Sequence, residues 1–194
     1  MRIVWVAILS CLAAACTTLP NTLAPDQVAT FRLASVEISA PDATAVSWSE
    51  GETAFAATRG VGAHNASDLA QTPEARLYLR TRVATRLKEA FERALTAKLA
   101  GTRPVRVKVD VKVVAIPSAG QRILVGGDPS MLATVTLTDA ASGAVLIVYR
   151  DQVSSVPGGA GLIQTLVTDI LFSPALDRLS DRYADDYGRW LTRG

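Results

Sequence analysis

Val105-Arg106-Val107-Lys108-Val109-Asp110-Val111-Lys112-Val113 places five valines on one side of an extended chain. Arg106, Lys108, Asp110 and Lys112 fall on the other side. Successive side chains of a strand point to opposite faces, so this alternation marks a sheet with one face in a core and one in water. Downstream, residues 131–138 alternate again, with Ala133, Val135 and Leu137 opposite Thr134, Thr136 and Thr138. Asp139-Ala140-Ala141-Ser142-Gly143 then reads as a hairpin loop, and residues 144–150 as its returning strand.

Upstream, Thr72-Pro73-Glu74 announces a helix. Threonine is a good N-cap, proline is pre-set for the first helical position, and glutamate suits the positive dipole end. Leu79, Val83, Leu87, Phe91 and Leu95 recur every four residues, and Gly101 is expected to close the helix as its C-terminal cap. Residues 31–39 read as a strand with a phase slip near Ser35, and residues 41–71 as a long, partly ordered loop. Leu162, Ile163, Leu166, Val167, Ile170 and Leu171 predict one C-terminal helix. After Ser173-Pro174, Leu176, Leu179, Tyr183, Tyr187, Trp190 and Leu191 predict another. The order β-α-β-β-β-α-α implies an α+β domain over residues 29–194: an antiparallel sheet of three to four strands with helices on one face.

The N-terminus reads differently. Met1-Arg2 is a minimal positive start, and residues 3–15 are apolar apart from Ser10. That run is too short for a bilayer span, which takes about 20 apolar residues, but it suits the apolar region of an export signal. Leu12-Ala13-Ala14-Ala15-Cys16 resembles a lipobox, in which cleavage leaves an acylated N-terminal cysteine. A lipobox usually has leucine three places before the cysteine, where this chain has Ala13. Ala13-x-Ala15 also fits the ordinary signal-peptidase pattern, so a soluble secreted product stands as the alternative. Cys11, preceded by Ile8-Leu9-Ser10, offers a second box behind a very short apolar run.

The expected division is therefore a signal peptide over 1–15 and a lipidated tether over 16–28, followed by the domain. Cys16 is the expected lipid attachment, and several acyl chains anchor stably where one is marginal. Cys11 would leave with the signal and Cys16 would carry lipid, so the mature chain is expected to hold no disulfide. Thr17 stands where aspartate, by the sorting rule that comes with the lipobox resemblance, would retain a lipoprotein in the inner membrane. The expected address is thus the outer membrane, facing the periplasm.

Gly120-x-Arg122 with Gly126-Gly127, then Leu132-Ala-Thr-Val-Thr-Leu-Thr-Asp139 and Ser142-Gly143-Ala-Val-Leu146, resembles an uncharacterised bacterial envelope lipoprotein family, the domain of unknown function numbered 4410. Ser142 replaces that family's threonine, and the matching part spans roughly residues 105–191. The resemblance implies a partner-binding role and brings no catalytic residues with it.

Chemistry-bearing residues are sparse. His64 is the one histidine, in a Gly/Ala-rich stretch, without the further ligands a triad or metal site needs. Gly158-Gly159-Ala160-Gly161 lacks both the later glycine of a dinucleotide fingerprint and the Gly-Lys-Ser/Thr of a phosphate loop, and reads as a hinge. Arg76, Arg80, Arg82, Arg86, Lys88 and Arg93 make the long helix basic; Asp177, Asp181 and Asp185 follow one another at four-residue steps on the last helix. Both sets read as solvated faces, with attraction to acidic head groups or an acidic partner as the sharper meaning of the first. The net charge of +2 is too small for a polyanion-binding surface, and export makes nucleic acid an unexpected partner.

No catalytic site, metal or cofactor is expected. The sequence points to a non-catalytic envelope lipoprotein, held to the membrane by lipid and docking an envelope protein or assisting assembly. A periplasmic carrier of a lipid or other apolar ligand, held between sheet and helices, is the rival. The contact is expected in the segment 118–130, longer than a tight hairpin needs. There Ile123, Leu124 and Val125 are apolar, and Arg122 would supply a charged edge. The alternative for these residues is a short strand folded back on the domain's own core.

Overall fold

The computed structural model describes residues 20–157 and 174–193. Its strands are β1 (Phe31–Ser39), β2 (Ala45–Trp48), β3 (Arg103–Ile116), β4 (Ser130–Asp139) and β5 (Val145–Ser155). Its helices are α1 (Pro25–Ala29), α2 (Ser49–Thr58), α3 (Ala66–Ala70), α4 (Pro73–Thr96), α5 (Ala119–Leu124) and α6 (Ala175–Thr192), with a 3-10 turn at Ala63–Asn65. The expected helix around Leu162 to Leu171, the Gly158–Gly161 hinge, Ser173, and the signal peptide with Cys16 lie outside the described residues.

The α+β class holds, with helices packed on a sheet. The sheet has five strands and is mixed, where three to four antiparallel strands were expected. β3 pairs antiparallel with β4, and β4 with β5. β1 runs parallel along the first half of β3's other edge, Phe31 opposite Arg103, and β2 runs parallel along the second half, Trp48 opposite Ile116. Thr44, between β1 and β2, donates its hydroxyl to the Val111 carbonyl at 2.8 Å. Parallel pairing demands a long crossover, and residues 49–102 supply it.

That crossover is why residues 41–71 are not a loop. They form β2, α2, the 3-10 turn and α3, with Phe55, Ala56, Ala66 and Ala70 buried. These elements are short and weakly periodic, so tertiary contact rather than local pattern fixes them.

α4 begins as its sequence predicts: the Thr72 hydroxyl accepts from the Ala75 backbone N–H at 3.3 Å, with Pro73 at the first helical position. Leu79, Val83, Leu87, Phe91 and Leu95 are all buried. The helix ends at Thr96, so Gly101 is not its cap. Gly101 instead lies where the chain passes against Thr30; a Cβ there would stand 2.2 Å from the Thr30 carbonyl oxygen. Only a residue without a side chain permits that approach.

The valine face of β3 is the core face for Val105, Val107, Val109 and Val111. The register slips between Val111 and Val113, so Val113 is 39% exposed while Val114 is 1% exposed. A bulge reverses which residues face inward, and the expected place of Val113 in the core is thereby corrected. The phase slip in β1 appears as a register shift between Leu33 and Ser35. On α6, Leu176, Leu179, Tyr183, Tyr187, Trp190 and Leu191 are buried as expected, and Pro174 occupies the N-cap.

Residues 21–28, expected within the tether, are packed on the domain. Leu23 and Val28 join the main core, and the Asn21 side-chain amide donates to the carbonyls of Trp190 at 3.1 Å and Leu191 at 2.8 Å.

Candidate functional site

The segment between β3 and β4 is neither a plain loop nor a strand folded on the core. Ser118 opens α5 with a capping box: its hydroxyl accepts from the Gln121 N–H at 3.2 Å, and the Gln121 side chain accepts from the Ser118 N–H at 3.1 Å. Such reciprocal bonds satisfy two otherwise orphaned donors and fix where the helix starts. The sequence carried that signal in Ser118-Ala-Gly-Gln121, but the glycine beside it obscured a helical reading.

Arg122 is not a charged edge. It is 1% exposed, and its guanidinium lies 3.8 Å from the Glu50 carboxylate on the first turn of α2. The cation therefore joins α5 to α2. Beyond it, Leu124 and Val125 are 84% and 83% exposed. Gly126 and Gly127 follow at φ 76° and 118°, conformations that favour glycine, and they return the chain past Pro117. The side chain of Ile123 lies outside the described residues. The outcome is a short helix fixed at its base with two adjacent apolar side chains held in water at its tip.

A cavity of about 380 Å³ opens nearby, between β2, the bulged half of β3 and the start of α4. Thr44, Val46, Glu52, Arg76, Arg80 and Val114 line it. Arg80 is buried and bonded to the Asp42 carboxylate at 2.5 Å, so its charge is met within the chain. On the outer side of the same region Phe55, Leu77 and Tyr78 line a shallow apolar hollow with Arg59 and Arg82 at its rim. Phe55 and Tyr78 stand ring to ring at 5.4 Å, and Leu77 is 59% exposed.

The charged faces of α4 and α6 prove to be partners. Arg86 lies 3.2 Å from Asp177, Arg93 2.6 Å from Asp181 and Lys98 3.9 Å from Asp185. The sequence showed two charged stripes; that they meet depends on two helices running side by side in the same direction. Between sheet and helices, Leu87, Phe91 and Leu95 are wholly buried in one cluster with Val107, Val109, Val135 and Tyr187. The middle of the layer between sheet and helices is thus filled by described side chains, and the space that remains beside β2 and the start of α4 is lined in part by the charged Glu52, Arg76 and Arg80.

His64 is exposed in the 3-10 turn. Among the described residues no group of histidine, cysteine, aspartate and glutamate could hold a metal ion. Among them, too, no helix is long and apolar enough to cross a membrane. Asp139, at the end of β4, is a turn-holder. It accepts from the Ser142 N–H at 2.9 Å, the Arg103 guanidinium at 2.8 Å, the Ser142 hydroxyl at 3.0 Å and the Ala141 N–H at 3.0 Å. Those bonds, with the Ser142 N–H foremost, hold its carboxyl well below the usual carboxylate range.

No protein-family model matches the chain, so the resemblance to the domain numbered 4410 gains no support from one. No curated protein matches it either. Among the solved structures that are similar in part are two proteins of low identity. One is a candidate lipoprotein from Caulobacter crescentus, at 17% identity over 57% of this chain and 81% of that one, with a TM-score of 0.33. The other is a variant of the PelC dodecamer from Paraburkholderia phytofirmans, at 14% identity over 86% of this chain and 92% of that one, with a TM-score of 0.34. Values this low do not establish a shared fold.

Proposed function

We propose that this chain is a non-catalytic outer-membrane lipoprotein that docks an envelope protein through the tip of α5. The tether half of this reading rests on the apolar run ending in Ala13-Ala14-Ala15-Cys16. One observation carries the docking half: Leu124 and Val125 stand in water on a helix whose base is fixed by a capping box and a buried arginine. Apolar side chains held out on a preformed base lose little conformational freedom on binding, which favours their use as anchors in a partner's pocket.

The test is crosslinking in native membranes of the unaltered chain and of Leu124→Asp. The charge should abolish the crosslinked complex while thermal stability stays within about 0.5 kcal/mol, as for an exposed substitution. Retained crosslinks, or a collapse of stability, would show that the tip is not a contact.

A further inference from the structure

The Asn21 amide does more than pack a terminus. The last carbonyls of a helix have no partner within it, and Asn21 donates to two of them on α6, at Trp190 and Leu191. Its side-chain oxygen Oδ1 accepts from the Leu23 N–H at 3.0 Å, and Leu23 is buried. The chain is therefore clamped to the end of α6 only five residues after Cys16. Fully extended, five residues reach at most about 17 Å.

The end of the molecule that holds this clamp is defined by the helices. α4 and α6 run parallel, shown by the successive pairs Arg86–Asp177, Arg93–Asp181 and Lys98–Asp185. Gly188, just before the last turn of α6, lies against Leu95 and Lys98, where the chain is about to turn into β3. β3 then runs away from that end, from Arg103 to Ile116. Fourteen residues of strand cover about 45 Å at the usual rise. α5, with Leu124 and Val125, follows at the far end, beside α2. The exposed Leu77 and the hollow formed with Phe55 and Tyr78 lie toward that end too, on α2 and the first turns of α4.

We infer that the Asn21 clamp sets the orientation of the domain on its membrane. The end carrying the last turn of α6 faces the bilayer that holds the anchor, and Leu124 and Val125 point away from it. This rests on acylation of Cys16, as proposed above. A chain too short to let the domain turn over, gripped at one end of the fold, leaves the bilayer surface as the neighbour of that end. The docking tip is then out of reach of the anchoring membrane, and its occupant must come from the space beyond.

The acylated full-length protein in vesicles of phosphatidylethanolamine and phosphatidylglycerol provides the test. Arg193→Cys and Val125→Cys carry a donor fluorophore, and an acceptor-labelled lipid marks the bilayer surface. Transfer from position 193 should exceed transfer from position 125 several-fold, and Asn21→Ala should narrow that difference. Protein that floats with the vesicles yet shows equal transfer from both positions, or more from position 125, would overturn the orientation alone. An unchanged difference in Asn21→Ala would overturn the role of the clamp. Protein that does not float with the vesicles would overturn the anchor, and the inference with it.

Discussion

Arg93 on α4 and Asp181 on α6 meet at 2.6 Å, the middle rung of a charge ladder between parallel helices. Both side chains are about half exposed, and exposed pairs contribute little because water screens them and holding them costs entropy. A double-mutant cycle with Arg93→Ala and Asp181→Ala should give a coupling below about 1 kcal/mol. A coupling of several kcal/mol would mean that the ladder, not the core beneath it, holds the helices together.

The core itself should respond far more strongly. Phe91 is wholly buried, with its ring centroid 5.7 Å from that of Tyr187 and 6.3 Å from that of Tyr183. Phe91→Ala should destabilise the domain by about 3–5 kcal/mol, read by denaturant unfolding. A loss under about 1 kcal/mol would contradict the layer packing.

Two neighbouring tyrosines should differ. The Tyr183 hydroxyl donates toward the Ala133 carbonyl at 2.8 Å and lies 3.1 Å from the Gln152 carbonyl, at a point where β4 and β5 pair. The Tyr187 hydroxyl is buried with no hydrogen-bond partner among the described residues. Burial pushes both phenols above their ordinary range. Tyr183→Phe should cost about 1 kcal/mol, and Tyr187→Phe should be neutral or stabilising. The reverse order in thermal melts would contradict this account of the two hydroxyls.

Asp139 predicts an acid dependence. Its folded value lies below the unfolded one, so its stabilisation is complete above the unfolded value and is lost as pH falls toward the folded one. The loss should therefore set in below about pH 5, where aspartate in the unfolded chain begins to protonate. Asp139→Asn should lower the melting temperature at pH 7 and flatten its fall between pH 5 and pH 2. An unchanged acid profile in the variant would remove Asp139 as a contributor.

How far the chain could be read follows from which interactions are local. The α4 cap, its buried stripe, the β4–β5 hairpin and the face of α6 depend on neighbours within a few residues, and Thr72, Leu87, Asp139 and Tyr183 announced them. The parallel pairing of β1 and β2 does not: nothing in Phe31 or Trp48 names Arg103 or Ile116 as its partner. The bulge that turns Val113 outward hides for a related reason, since the alternation runs unbroken through Lys112 and only the partner strand reveals the slip. At the candidate site the sequence singled out Leu124 and Val125, which the fold leaves exposed. It mistook Arg122 for a surface charge because Glu50, 72 positions earlier, arrives only through the crossover. Asn21 was read as tether because its partners, the last carbonyls of α6, are backbone groups 169 and 170 positions away.

Acylation of Cys16 underlies both the membrane address and the orientation, and mass spectrometry of the N-terminal peptide from the membrane fraction tests it most directly. The mature chain should begin at Cys16 with a diacylglycerol-linked, acylated cysteine, and Cys16→Ser should release the protein from membranes. An N-terminus at an unmodified Cys16, or at any later residue, would contradict it and leave a soluble secreted domain.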